Sequence, residues 1–154
     1  MMRLPKLDKV DLRIIRLLQQ NGRCSYASIG REVRLSEAGV RGRVRRLLRQ
    51  QVIRIVAVTK PADLGLQSAL LGLTVTGSGC EQVVEKLACL PEVDYLARCA
   101  GRYDLLVSVI CRDNAHLRTV LDEKVKTVPG VEKVEAFYTL EVAKDTYEWP
   151  QPEK

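Results

Sequence analysis

Residues 34–49, Arg-Leu-Ser-Glu-Ala-Gly-Val-Arg-Gly-Arg-Val-Arg-Arg-Leu-Leu-Arg, constrain the fold of this chain more than any other stretch. Six arginines and a single acid, Glu37, share the segment with an apolar ladder. Val40, Val44, Leu47 and Leu48 recur at i, i+4, i+7 and i+8, which is one face of an α-helix. Arg45 and Arg49 fall on the opposite face with Ala38 and Gly42, and Arg41 and Arg43 flank it. Ser36 stands where an N-cap belongs, its hydroxyl able to accept from an unpaired N–H of the first turn. A helix docked by one face and guanidinium-rich on the other suits the phosphates and guanine edges of duplex DNA. A solvated basic face is the plain alternative.

The residues before that helix favour the DNA reading. Leu7, Val10, Ile14, Leu17 and Leu18 form a first amphipathic helix, with Asp8 placed to cap it and oppose the dipole. Asn21-Gly22 ends it. Ser25 opens a short helix whose Tyr26, Ile29 and Val33 point one way, and Arg34-Leu35 leaves room only for a tight turn. Helix, short helix, turn and basic helix make a helix-turn-helix whose last element belongs in the major groove. The candidate DNA-binding set is Ser25, Ser36, Glu37, Ala38, Arg41, Gly42, Arg43, Arg45, Arg46 and Arg49. Within it, Arg41 and Arg45 are expected to contact DNA, and Arg43 to position the helix. Three short helices bury only a small core, which favours support from a partner chain.

Charge is divided along the chain in the same way. Residues 1–60 carry 15 Lys+Arg against 4 Asp+Glu, and residues 61–154 carry 10 against 15. A chain basic throughout would suit membranes or non-specific adhesion equally well, whereas this asymmetry favours one polyanion-binding module.

A boundary near Lys60-Pro61 separates an N-terminal domain, 1–60, from a second, 61–154. Ahead of it Val52–Val58 is β-branched and alternates weakly, and so reads as a strand linking the two and giving the first a winged form. The remainder reads as a duplicated βαβ unit: strand 67–76, helix 80–90, strand 93–100, then strand 105–111, helix 115–126, strand 131–142. Leu90-Pro91-Glu92-Val93 and Val128-Pro129-Gly130-Val131 echo each other at the two helix exits. The expected class is α+β, with a ferredoxin-like βαββαβ sheet bearing both helices on one face. The uncovered face and edges call for a homodimer at least.

Cys24, Cys80, Cys89, Cys99 and Cys111 show no C-x-x-C spacing, and His116 is the one histidine. Neither a metal site nor a cofactor is called for. The odd cysteine count and the lack of a signal peptide point to reduced thiols in the cytoplasm. Cys89, Cys99 and Cys111 lie in apolar runs and read as small core residues. No apolar run approaches the ~20 residues of a membrane span. His116 has no catalytic partner at motif spacing and reads as a surface residue, so no catalytic residue is assigned.

The order of these parts resembles the Lrp/AsnC (feast/famine) transcription regulators. Leu7-Asp8-x-x-Asp11, Leu35-Ser36, Val40-x-x-Arg43-Val44-x-x-Leu47, and Val52-Ile53 followed by Leu64-Gly65 are similar to the family's N-terminal half. Pro91-Glu92-Val93, Gly101-x-Tyr103-Asp104 and Pro129-Gly130-Val131 are similar to its effector-binding domain. The resemblance implies double-stranded DNA as partner, a homodimer that assembles in some members to an octamer, and an amino acid or related small-molecule effector. The effector loop it implies is Ala100, Gly101, Arg102, Tyr103 and Asp104. Arg102 stands where members commonly have an acid or amide, Ala100 where they have Thr, Leu105 where they have an aromatic, and Leu48 where they have Glu.

A plain hairpin and a ligand loop remain two open readings of residues 100–104. In the second, Asp104 holds an ammonium group and Arg102 adds a fixed cation that favours a ligand with an extra acidic group; otherwise Arg102 faces solvent or pairs with an acid such as Glu92 or Asp94 of a neighbouring subunit. Gly39 and Gly42, costly inside a helix, suggest close approach of another helix or of the DNA backbone. Two rival functions are a haem-pathway decarboxylase of similar fold, which would need a histidine near the loop, and a metabolite-sensing adaptor that binds protein through the basic half.

Overall fold

The computed structural model of the chain describes residues 6–146, so the outer limits of both expected domains lie outside the described residues. Two compact units are distinct, residues 6–57 with 144–146 and residues 58–143.

The first unit is three helices: α1 (Lys9–Gln20), α2 (Tyr26–Val33) and α3 (Glu37–Arg49). Each begins where a side chain can satisfy an otherwise orphaned N–H. Asp8 Oδ1 accepts from the Asp11 N–H at 2.7 Å, and the Asp8 N–H donates back to Asp11 Oδ2 at 3.1 Å. Ser25 and Ser36 accept from the N–H groups of Ser28 and Gly39. Ile14, Ile29, Val40, Val44 and Leu47 converge into a fully buried core. Leu48 is 37% exposed and does not join it, so the ladder on α3 is one residue narrower than the spacing predicts.

The turn between α2 and α3 is set by two residues. Arg34 takes the left-handed conformation as the C-cap of α2 (φ 57). Gly30 lies so close to the following chain that a Cβ there would come within 2.5 Å of the Leu35 carbonyl oxygen. Only glycine fits that approach.

The second unit opens with a 3-10 turn, Pro61–Leu64, and runs β1 (Gln67–Val75), α4 (Cys80–Ala88), β2 (Val93–Arg98), β3 (Leu105–Cys111), α5 (Asn114–Thr119), a π-helical turn (Val120–Val125) and β4 (Val131–Tyr138). All pairings are antiparallel, in the order β2-β3-β1-β4, which is the expected ferredoxin-like arrangement. Alternation sorts the side chains. Ala69, Leu71, Leu73 and Val75 of β1 and Leu105, Val107, Val109 and Cys111 of β3 share a core with Val83, Leu87, Leu117, Val120 and Val125. Leu70, Gly72, Leu106, Ser108 and Ile110 alternate with these and so occupy the other face.

Several expectations need correction. The linker strand over 52–58 does not form; residues 53–60 have no regular structure, with Ile55, Val56 and Val58 more than half exposed. β-branched residues favour a strand only when a neighbour receives its N–H and C=O groups, and among the described residues these pair with no strand. The helix expected over 115–126 changes from α to π at Val120. Helix 80–90 ends at Ala88, and strands 93–100 and 131–142 end at Arg98 and Tyr138. Cys111 is buried as expected, but Cys89 and Cys99 are exposed. His116 is not a free surface residue: its side chain is 18% exposed and Nε2 lies 3.3 Å from Glu92.

Candidate nucleic-acid interface and effector loop

The arginines of α3 divide into two sets. Arg43 Nη1 donates to Asp8 (2.7 Å) and Asp11 (2.8 Å), and Arg46 Nη2 donates to Asp11 at 2.6 Å. Asp11 has no exposed surface. Burial pushes its carboxyl upward, but hydrogen bonds from Arg46, the Asp8 N–H and Arg43 outweigh this and hold it below the ordinary value. Asp8 is held low chiefly by Arg43, and Arg43 is raised by the same two acids. Arg43 therefore anchors α3 to α1. Arg46, expected in the DNA-binding set, is anchored alongside it. Their charges are met within the protein.

Arg41, Arg45 and Arg49 are exposed. Among the described residues Arg45 and Arg49 meet no acid, which leaves two complete guanidinium forks on the face opposite Val40, Val44 and Leu47. Arg41 is held from two sides: Nη2 lies 2.5 Å from Glu37 Oε1, and the guanidinium carbon lies 5.9 Å from the Tyr26 ring centroid. Glu37, Ala38 and Gly42 are exposed on the same side, and Ser25 and Ser36 stand at the starts of α2 and α3. A Cβ on Gly42 would meet nothing within 4 Å, and one on Gly39 only the Ser36 hydroxyl and Leu35. Among the described residues no second helix explains Gly42.

In the second unit residues 99–104 join β2 to β3. The Cys99 N–H donates to the Asp104 carbonyl and the Asp104 N–H to the Leu73 carbonyl, both at 2.9 Å. The Asp104 carboxylate accepts from the Val75 N–H at 2.8 Å. Asp104 thus ties the loop to β1, and one of its oxygens is already engaged. Tyr103 lies against the sheet where Gly72 leaves room; a Cβ at Gly72 would come within 2.7 Å of the ring. Phe137 meets the Tyr103 ring edge-on, centroids 6.1 Å apart.

The Tyr103 hydroxyl donates to Glu135, and Arg102 Nη2 lies 3.2 Å from the same carboxylate oxygen. That hydroxyl bond raises the Tyr103 pKa and holds Glu135 below the ordinary carboxylate value. Arg102 is thus balanced by Glu135 of its own chain, whereas Glu92 pairs with Lys124 at 2.5 Å. Ala100 and Gly101 complete the loop, both exposed, and a Cβ on Gly101 would meet nothing. Sequence reasoning missed Glu135, Phe137 and Gly72. The one available signal was a glycine inside the apolar run Leu70-Leu71-Gly72-Leu73, since a glycine in a strand marks close approach.

A capped helix-turn-helix with exposed arginines on its last helix, followed by an antiparallel βαββαβ unit with a Tyr-bearing loop, defines a two-module regulator of transcription. The family model described as AsnC-type helix-turn-helix domain matches residues 7–48. That described as Lrp/AsnC ligand binding domain matches 68–149. An uncharacterized HTH-type transcriptional regulator of Pyrococcus abyssi is 38% identical, covering 92% of this chain and 91% of the relative. The HTH-type transcriptional regulator Ptr1 of Methanocaldococcus jannaschii is 36% identical, covering 94% and 99%. Among solved structures, AsnC of E. coli superposes with TM-score 0.80 at 23% identity, covering 92% of this chain and 97% of that one. A transcriptional regulator–L-Met complex from Neisseria meningitidis gives TM-score 0.83 at 22% identity, covering 94% and 97%.

The chain belongs to the Lrp/AsnC family. It is a transcription regulator with a helix-turn-helix DNA-binding domain and a ligand-binding domain. No helix among the described residues is long and apolar enough to cross a membrane.

Proposed function

We propose that this regulator acts as a homodimer, able to assemble further to an octamer, that reads a two-fold-related DNA site through α3 and answers to an amino acid held at residues 100–104. The observation that carries the DNA half is the division of the arginines: Arg43 and Arg46 are bound to Asp11, while Arg45 and Arg49 meet no acid among the described residues and Arg41 is exposed on the face away from the core. Dimerisation is supported by what one chain leaves to water. Leu70, Tyr95 and Phe137 are exposed on the second unit, and Ile55, Val56 and Val58 lie in the unpaired linker. A second copy would cover the sheet and give the linker a strand partner.

For the effector, Asp104 and Glu135 supply carboxylate oxygens, and the loop's N–H groups and Arg102 supply donors. The sequence alone favours an acidic ligand because Arg102 looks unbalanced. Glu135 removes that argument, so the reading here is an amino acid with no required side-chain acid. The Neisseria meningitidis protein of similar fold was solved with L-Met, an amino acid of that kind. The reading assigns no catalytic step and places the protein in the cytoplasm, with its DNA.

Duplexes selected from a random library by the full-length protein, then titrated with and without each of the twenty amino acids, test it. The expected result is sequence-selective binding that weakens steeply with salt and shifts with at least one neutral amino acid. Equal, salt-independent affinity for all duplexes would favour the protein-adaptor alternative.

A further inference from the structure

We infer that Tyr26 and Glu37 form a buttress that fixes the Arg41 guanidinium as a base reader, making them positioning residues for sequence discrimination. This rests on the reading of α3 as the DNA-contacting helix. Tyr26 begins α2, partly buried against the helix-turn-helix core, and its ring faces the Arg41 guanidinium at 5.9 Å. Glu37, in the first turn of α3, binds Arg41 Nη2 from one turn away. Arg41 differs in this from Arg45 and Arg49, which meet no acid among the described residues.

The consequence follows from the geometry of a guanidinium. It carries five N–H donors, so the bond to Glu37 leaves a fork able to meet guanine O6 and N7 together. An exposed arginine ordinarily loses rotamer freedom when it binds, and a side chain already held between a ring and a carboxylate loses less. The Glu37 carboxylate also offsets the Arg41 charge, which reduces attraction to phosphates that carry no sequence information. Arg41 therefore contributes chiefly to discrimination.

The test uses a duplex selected from a random library by the full-length protein, together with its single-base-pair variants and a mixed-sequence duplex. Tyr26→Leu should lose about two- to fivefold on the selected duplex and flatten the preference at one base pair of each half-site, the same one that Arg41→Ala flattens. Tyr26→Phe should retain the preference, because the ring and not the hydroxyl faces Arg41. On an Arg41→Ala background Tyr26→Leu should cost nothing more. Glu37→Gln, an exposed change that spares the core, should flatten that same preference while tightening binding to mixed-sequence DNA.

Tyr26→Leu weakening every duplex equally, or weakening the Arg41→Ala background further, would overturn the inference. If Arg41→Ala flattens a base pair and neither Tyr26→Leu nor Glu37→Gln does, the buttress alone fails. If Arg41→Ala leaves every preference intact, the reading of Arg41 as a DNA contact fails with it.

Discussion

Asp11 Oδ1 lies 2.6 Å from Arg46 Nη2, a bond between a fully buried carboxylate of α1 and a guanidinium of α3 that is 35% exposed. With Arg43 on the same oxygen, it converts two of the six arginines of residues 34–49 from surface charge into the fastening of the basic helix. Removing the acid leaves Arg46 without its partner and Arg43 with Asp8 alone. Asp11→Ala should destabilise the helix-turn-helix unit by about 2–4 kcal/mol, read by chemical denaturation. An effect below about 0.5 kcal/mol would mean that the pairing is no stronger than an exposed ion pair.

The same carboxylates set an acid limit. Asp8 and Asp11 in the first unit and Glu92 in the second, held low chiefly by Lys124, have folded-state pKa values below their ordinary ones. A depressed pKa gives stability that is present above the unfolded value, roughly 4, and lost as pH falls through the folded value. Unfolding free energy should therefore be level from pH 8 to about 5 and drop below about 4. Asp11→Asn should flatten the drop for the first unit, and Glu92→Gln for the second.

Gly42 gives a test in which stability and function move in opposite directions. A Cβ there meets nothing, so Gly42→Ala should stabilise α3 by up to about 1 kcal/mol. If the glycine serves close approach of the DNA backbone, the same change should weaken binding to a selected duplex several-fold. Gains in both would show that the glycine has no role in DNA binding.

The effector loop should depend on Gly72. Gly72→Ala forces a Cβ within 2.7 Å of the Tyr103 ring and should cost about 1–3 kcal/mol. By dislodging Tyr103 it should also abolish the amino-acid response while leaving ligand-free DNA affinity unchanged. Retention of the response would place the ligand elsewhere.

Much of this architecture was legible because its signals are local. Ser25, Ser36 and Asp8 cap the helices at the positions their spacing predicts. Val40, Val44 and Leu47 are buried as the helical period requires, and β3 alternates without a break from Leu105 to Cys111. What remained hidden depends on residues far apart in sequence. Nothing local to Glu135 announces Tyr103 and Arg102, and nothing local to Asp11 distinguishes Arg46 from Arg45. Gly30 reads as an ordinary helix residue until the Leu35 carbonyl is seen against it. The linker misled for the converse reason: Val52–Val58 has the composition of a strand, but a strand also needs a neighbour.

The central claim is that α3 reads a two-fold DNA site through its exposed arginines, Arg41, Arg45 and Arg49. Hydroxyl-radical footprinting on a library-selected duplex, with the parent chain and Arg45→Ala side by side, tests it most directly. The account predicts two symmetric protected segments centred about 10 bp apart or a multiple of it. It also predicts that Arg45→Ala weakens binding by about 1–3 kcal/mol without lowering the thermal midpoint of the protein. A single asymmetric footprint, or an Arg45→Ala protein that protects the same duplex with undiminished affinity, would contradict it.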